Sequence, residues 1–244
     1  RKALEEVLKY LVNREYPTKW PELLNIVVHK MTAATAIKEL YGSLRVIYNV
    51  VSAFKDDLRD EQEPLKLLLA KLFPYLENLA LNGIKKGDAD FHSVLHIMIK
   101  TLQNTNQKQL LLYLTPTSLR SWLIVLKWGW EYSSGETHAP ADDWNAMFRV
   151  NDLPETKLKV SAMEALVCFT QLFILNARID AALFKTFYDI MPSLLDSAIS
   201  YIGGVIRANE AQTPVFYAQA CVNSAYRFLF YAVQMHNKVG EFLS

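Results

Sequence analysis

Apolar residues return every third or fourth position along almost the whole chain, the spacing that lines one face of an α-helix. The first stripe is Leu4, Val7, Leu8, Leu11 and Val12, and the second is Trp20, Leu23, Leu24, Val27, Val28 and Met31. A third runs from Ile37 to Phe54, a fourth from Leu65 to Leu79, and a fifth from Phe91 to Leu102. Leu119, Trp122, Leu123, Leu126 and Trp130 make the sixth; Leu158, Ala162, Ala165, Leu166, Phe169 and Phe173 make the seventh. The last two run from Phe184 to Ile202 and from Phe216 to Val233, so the pattern predicts nine helices. Strict alternation never persists for more than four residues, so no strand is expected. Turn signals fall between the stripes: Gly83 and Gly87, Thr115-Pro116, Gly135 with Pro140, Pro154, and Thr213-Pro214.

The stretch "NREYPTKWPELL", residues 13–24, reads as the start of the second helix. Pro17 and Pro21 can both sit in a first turn, where amide groups have no intrahelical partner. Thr18 can cap, Glu22 suits the positive end of the helix dipole, and Trp20 would open the stripe and anchor the helix.

The helices fall into pairs. The interval from residue 17 to residue 62 lies near the ~40–47-residue period of HEAT and armadillo units. Later intervals are longer, and one contains the polar, turn-rich segment 131–155, which reads as an insertion loop. The expected fold is all-α: a HEAT-repeat alpha-alpha superhelix, or solenoid, of about nine helices in antiparallel pairs, running as one segment through residues 1–244. A single bundle of nine helices is the alternative.

Composition narrows the function more than the fold. The 244 residues are 51% hydrophobic, enough for a sizeable core. Lys plus Arg total 26 and Asp plus Glu 25, a formal net charge of +1, so nothing global favours nucleic acid or an anionic membrane. Cys168 and Cys221 lie in apolar helical patterns and suit a reducing compartment. No stretch approaches ~18 uncharged apolar residues, so no transmembrane helix is expected. The chain opens in mid-pattern without a methionine and reads as a piece of a longer protein.

Enzyme signals are poor, and no bond chemistry is expected. Phosphate-cradling glycine loops, the dinucleotide fingerprint and the G-x-S-x-G elbow are all absent from the sequence. "HSVLH" sets His92 and His96 four apart, but Ser93 stands where a zinc protease needs its glutamate, and only Asp90 offers a further ligand. No metal or cofactor is expected. His29, His138 and His236 are isolated, and Lys85-Lys86 is too small a patch for nucleic acid.

Binding surfaces are the better candidates. "SWLIVLKWGWEY", 121–132, concentrates three tryptophans. Trp122 and Trp130 share the stripe that faces the core, while Trp128 points elsewhere by its phase. They can pack one repeat on the next, or line an aromatic pocket that takes a partner's side chain. In the polar insertion, Asp142 and Asp143 read as solvated, or as part of a surface for a basic partner with Glu131, Glu136, Asp152 and Glu155. Trp144 and Phe148, four apart, can anchor such a partner or pin the loop to its own scaffold.

"LVNREYPTKWPELL" and the following "YGSLRVIYNVVSAFK" resemble the importin-beta (karyopherin) superfamily, with Tyr16, Pro17 and Trp20 at an early HEAT repeat. The likeness continues in "LFPYLENLA" (72–80), "LTPTSLRSWLIVLKWGWE" (114–131) and "NDLPETKLKVSAMEALVCFTQLF" (151–173). Order and spacing are similar to the branch of importins seven and eight, with the cellular-apoptosis-susceptibility type of exporter close behind. The resemblance implies a nuclear transport receptor that shuttles between cytoplasm and nucleus through the nuclear pore complex. It implies as partners the GTP form of the GTPase Ran, the phenylalanine–glycine repeats of pore proteins, and protein cargo such as ribosomal proteins or histones. Inner B helices would be 1–13, 36–56, 90–104, 156–176 and 214–238; outer A helices would be 17–33, 62–82, 116–130 and 180–202. On that mapping Lys2, Glu5, Glu6 and Lys9 are the candidates for Ran. Trp122 and Trp128, with Phe73 and Tyr75, are the candidates for pore repeats. Asp142, Asp143, Trp144 and Phe148 are the candidates for a cargo loop. The near-neutral charge departs from the acidic habit of that family. A scaffold of HEAT repeats outside transport, and a helical metalloenzyme built on His92 and His96, are the other classes.

Overall fold

The computed structural model describes residues 2–16, 18–54, 63–87, 90–105, 110–111, 113–132, 136–138, 144–175, 179–211 and 215–242. They form two compact units, 1–114 and 115–244. The chain is all-α, built of paired, repeating helices. Among the described residues, strand is confined to one short ladder.

The amino-terminal unit holds α1 (Lys2–Glu15), α2 (Leu23–Thr32), α3 (Ile37–Ala53), α4 (Glu63–Lys86) and α5 (Phe91–Asn104). α2 pairs with α3 and α4 with α5, while α3 also packs on α1 and α5. The second helices of the pairs thus form the row α1–α3–α5. Its core is continuous: Leu44, Ile47 and Val50 of α3 and Val94, Leu95 and Met98 of α5 are fully buried. Each such side chain contributes about 1.5–3 kcal/mol by leaving water.

The second helix starts later than the sequence pattern predicts. The Lys19 and Trp20 amides both return to the Glu15 carbonyl, at 2.7 and 3.2 Å, closing a turn after α1. Pro21 has no amide to continue a helix begun at residue 17, so α2 opens only at Leu23, with Glu22 at its N-cap and no side-chain cap bond. Trp20 therefore lies outside the helix and is 38% exposed. Tyr16 does the anchoring instead: it is buried and meets Phe54 edge-on with ring centroids 5.9 Å apart.

α4 carries Pro74 within it. The carbonyl that loses its partner belongs to Ala70, and both residues sit on the exposed face of the helix. Gly83 does not break this helix. A Cβ there would fall 1.8 Å from the Phe91 ring, so the glycine is the close-packing point of α4 on α5. Gly87 makes the stop with a φ of 64°, its amide reaching the Gly83 carbonyl at 3.2 Å.

The carboxy-terminal unit holds α6 (Pro116–Glu131), α7 (Trp144–Asp152), α8 (Pro154–Leu175), α9 (Ala181–Glu210) and α10 (Gln219–Phe242). Thr115 caps α6 by accepting the Ser118 amide at 3.1 Å, ahead of Pro116, at the break the sequence marks. Asp180 caps α9 with bonds from the Ala182 and Leu183 amides. α6 pairs with α8 and α9 with α10; between pairs, α6 packs on α9 and α8 on α10. Gly129 lets α6 approach α8 closely, its built Cβ lying 3.3 Å from Ala162 Cβ.

α8 is long and apolar enough to cross a membrane by length and composition, more so than the sequence reading allows, yet 67% of that stretch is buried within the protein. Partners on several sides explain it: α6, α7 and α10 all pack on this helix.

Two departures concern the polar insertion. Part of it is α7, a tenth helix among the described residues. Just before it, residues 136–138 (β1) pair antiparallel with 215–217 (β2), Thr137 opposite Phe216. The last helix accordingly starts at Gln219, and Phe216 belongs to the ladder rather than to its stripe.

Candidate protein-binding surface

The aromatic segment of α6 divides by phase as the sequence predicts. Trp122 and Trp130 are 1% exposed and sit in the core. Trp128 is half-buried, with Tyr132 and Ile124 exposed four positions to either side. At about 100° per residue these three lie on one outward stripe. The Trp128 and Tyr132 rings lie 4.5 Å apart between centroids at an interplanar angle of 35°. The Tyr132 amide returns to the Trp128 carbonyl at 2.8 Å, holding the pair at the helix end. The result is a preformed apolar ledge, with Lys127 and Glu131 beside it.

α6 is held rigidly behind that ledge. Trp130 Nε1 donates to Ser197 Oγ of α9 at 3.0 Å, and Lys127 donates to Ser193 of the same helix. Lys159 of α8 is buried at 3% exposure and donates to the Trp130 carbonyl at 2.6 Å. Its ammonium also lies 4.4 Å from the Trp130 ring centroid and 4.7 Å from that of Tyr201 in α9. A cation here meets the negative end of the α6 dipole and two aromatic faces, which offset its loss of hydration. Next to it, Cys221 of α10 is fully buried, and burial pushes its thiol from an ordinary 9.0 up to about 11. The Lys159 charge and a hydrogen bond with Tyr201 pull the other way and do not overcome burial.

The remaining sequence candidates are placed less favourably. Phe73 is 4% exposed and packs towards Tyr113, ring centroids 6.2 Å apart, so it offers a partner nothing. Trp122, buried in the other unit, is excluded from contact for the same reason. Tyr75 is half-buried, and burial raises its phenol pKa. On α1, Glu5 is engaged by Arg45 of α3. Burial opposes the Arg45 charge, but the bond and charge of Glu5 outweigh it and hold the guanidinium pKa above its ordinary value. Glu6 and Lys9 pair with each other at 3.1 Å on the surface. The Lys2 side chain lies outside the described residues. Asp142 and Asp143 lie outside them too, as do the side chains of Trp144 and Phe148. The helix those aromatics belong to is nonetheless fixed to its unit. α7 packs on α8, β1 and β2, and Val150 is fully buried in a cluster with Ala218 and Cys221.

His92 is buried and His96 half-buried on α5. Among the described residues no three His, Cys, Asp or Glu side chains come together as metal ligands would. The sequence reading missed Ile124 and Tyr132 as companions of Trp128, although their spacing of four on either side of it was the available signal.

The chain is similar to a plant protein, the importin beta-like SAD2 homolog of Arabidopsis thaliana, at 25% identity over 99 residues. The matched stretch is 41% of this chain and 9% of the plant protein, so the chain spans a small part of that relative. No family model matches the chain, and no solved structure does.

Proposed function

We propose that this chain is a segment of a nucleocytoplasmic transport receptor of the importin-beta kind, working by coupled binding and making or breaking no covalent bond. The observation that carries the reading is the likeness to an importin beta-like protein, in a chain whose helices stack as repeating pairs. In this reading the Ile124–Trp128–Tyr132 ledge takes phenylalanine side chains of pore-protein repeats. The GTP form of Ran and a protein cargo, basic in the manner of ribosomal proteins or histones, bind other faces of the stack. Lys2 stays a Ran candidate beside Glu6 and Lys9, which pair with each other at the surface, and α7 with the residues before it forms the cargo loop. The receptor works in cytoplasm and nucleus and at the nuclear pore complex, and the importin seven and eight branch is the closest fit in sequence order. Each repeat touches only its neighbours, so binding at one point biases the stack at another, and the affinities of Ran and cargo are linked.

Capture of the chain on immobilised Ran, loaded with GTP or GDP, tests this. Selective retention on the GTP form is expected, with cargo released by it in an importer and retained with it in an exporter. Equal retention on both forms, or none, contradicts the proposal. The near-neutral charge, 26 basic against 25 acidic residues, favours a second reading as a HEAT-repeat scaffold outside transport, which would ignore both Ran and phenylalanine–glycine peptides.

A further inference from the structure

The apolar ledge on α6 carries charges of opposite sign at its two ends. Glu131 follows Trp128 by three residues and directly precedes Tyr132. Positions three and four apart are neighbours on a helix surface, so the carboxylate stands beside the aromatic pair. It is exposed, and the two rings beside it lie 4.5 Å apart between centroids. Tyr132 is 43% exposed, so its ring offers surface to a partner as well as to Trp128. Arg120, also exposed, precedes Ile124 by four residues at the other end. Arg120 and Glu131 are about 16 Å apart along the helix axis, well beyond the ~8 Å screening length of physiological salt. The ends therefore act separately, one basic beside Ile124 and one acidic beside Tyr132.

Lys127 does not cancel Glu131. Its ammonium donates to Ser193 of α9 and reaches the Glu131 carboxylate only at 3.8 Å. A pair this long and this exposed binds weakly. A carboxylate also has about four acceptor positions, so a second cation can share it.

Two aromatic faces beside a carboxylate form a cation site. The protein builds a related one in its own interior, where the Lys159 ammonium lies 4.4 Å from the Trp130 ring centroid and 4.7 Å from that of Tyr201. The corner at the end of α6 faces outward instead, and its carboxylate selects between the two common cations. A guanidinium can lie flat on a ring while its edge donates two parallel bonds to Glu131; an ammonium cannot do both.

We propose that Trp128, Tyr132 and Glu131 form a subsite for an arginine side chain, carried by the same partner segment whose phenylalanine rests between Ile124 and Trp128. The inference rests on the ledge taking phenylalanine side chains and adds a charge requirement to it. The two places are about five residues apart on the helix, roughly 8 Å. In an extended segment, residues two apart share a face and stand about 6.6 Å apart, and the arginine stem covers the rest. Arg120 disfavours the arginine at the Ile124 end, which fixes how the segment lies.

The test is a titration of the protein with serine–glycine peptides that each carry one phenylalanine. Two residues from it stands arginine, lysine or glutamine, with both chain orders made for each. At low salt the better arginine peptide should bind about three- to tenfold more tightly than its glutamine counterpart, with lysine between them. That ratio should fall to about one in Glu131→Gln. It should also shrink in the unsubstituted protein as salt rises to about 0.5 M, a check that needs no variant. A ratio near one in the unsubstituted protein, or one that neither Glu131→Gln nor salt alters, overturns the subsite and leaves phenylalanine binding standing. Lysine binding as tightly as arginine overturns the assignment to a guanidinium. Absence of binding by every peptide overturns the subsite together with the reading it rests on.

Discussion

α4 and α6 occupy the same place in the repeat, each the first helix of its pair, yet they turn different chemistry outward. The exposed face of α4 runs through Ala70, Lys71, Pro74, Asn78, Asn82 and Lys85, which water solvates well. Its aromatic residues face inward or sideways: Phe73 is buried and Tyr75 half-buried. On α6 the outward stripe is Ile124, Trp128 and Tyr132, backed by polar ties to α8 and α9. An apolar stripe on a surface helix costs free energy in water unless something covers it, and the proposed function assigns this one to a partner's side chains. Pairing within a repeat does not require it, because α4 packs on α5 without one.

The buried aromatics should show the largest effects. Trp122→Ala and Phe73→Ala should each lower stability by about 3–5 kcal/mol, read from urea denaturation, because both leave large cavities in closed cores. Phe73→Ala should leave affinity for a phenylalanine–glycine peptide unchanged wherever the protein remains folded. A loss of binding without a loss of stability would return Phe73 to the surface and erase the contrast between the two helices.

Lys159→Ala comes next, at about 2–4 kcal/mol, from lost packing of the stem and a stranded Trp130 carbonyl. Hydrogen exchange should quicken in α6, α8 and α9 while the row α1–α3–α5 keeps its protection. Uniform quickening would mean that Lys159 is not a local tie. Removing the Glu5 carboxylate as Glu5→Ala is a milder change, about 1 kcal/mol, and should loosen α1 without reaching α6.

A further effect, confined to alkaline pH, concerns the thiols. Burial raises the Cys221 thiol to about 11, so it should resist alkylation at neutral pH, with the half-buried Cys168 modified first. A folded pKa above the unfolded value means a contribution to stability that is complete below pH 9.0 and lost as pH rises towards about 11. Denaturation midpoints across that range should fall less in Cys221→Ala than in the unsubstituted chain.

Most helices were legible because a buried stripe beside a solvated face leaves a 3.6-residue period in the sequence; α8, covered on several sides, shows that period least. Thr115-Pro116 marked its helix start correctly, since both residues act within the first turn. What failed depended on distant partners or on competing local bonds. Trp20 carried the right phase for α2, but Pro21 cannot donate to a helix begun at Pro17, and Tyr16 became the anchor. Phe216 also kept helical phase, yet its segment pairs with 136–138, far away in sequence, and short-range pattern carries no record of that. The outward turn of Trp128 was readable from phase alone. The engagement of Glu5 by Arg45 was not, because a charge on an amphipathic helix looks the same whether solvated or paired across to a neighbour.

What the α6 ledge binds is the most direct point of test. Titration of the protein with a phenylalanine–glycine repeat peptide, followed by tryptophan emission and by calorimetry, should show saturable binding that the serine–glycine counterpart lacks. Trp128→Ala should weaken it about tenfold, ~1.4 kcal/mol, while the denaturation midpoint stays within ~0.5 kcal/mol of the starting protein. Binding of equal strength by both peptides, or an affinity untouched by Trp128→Ala, would contradict it.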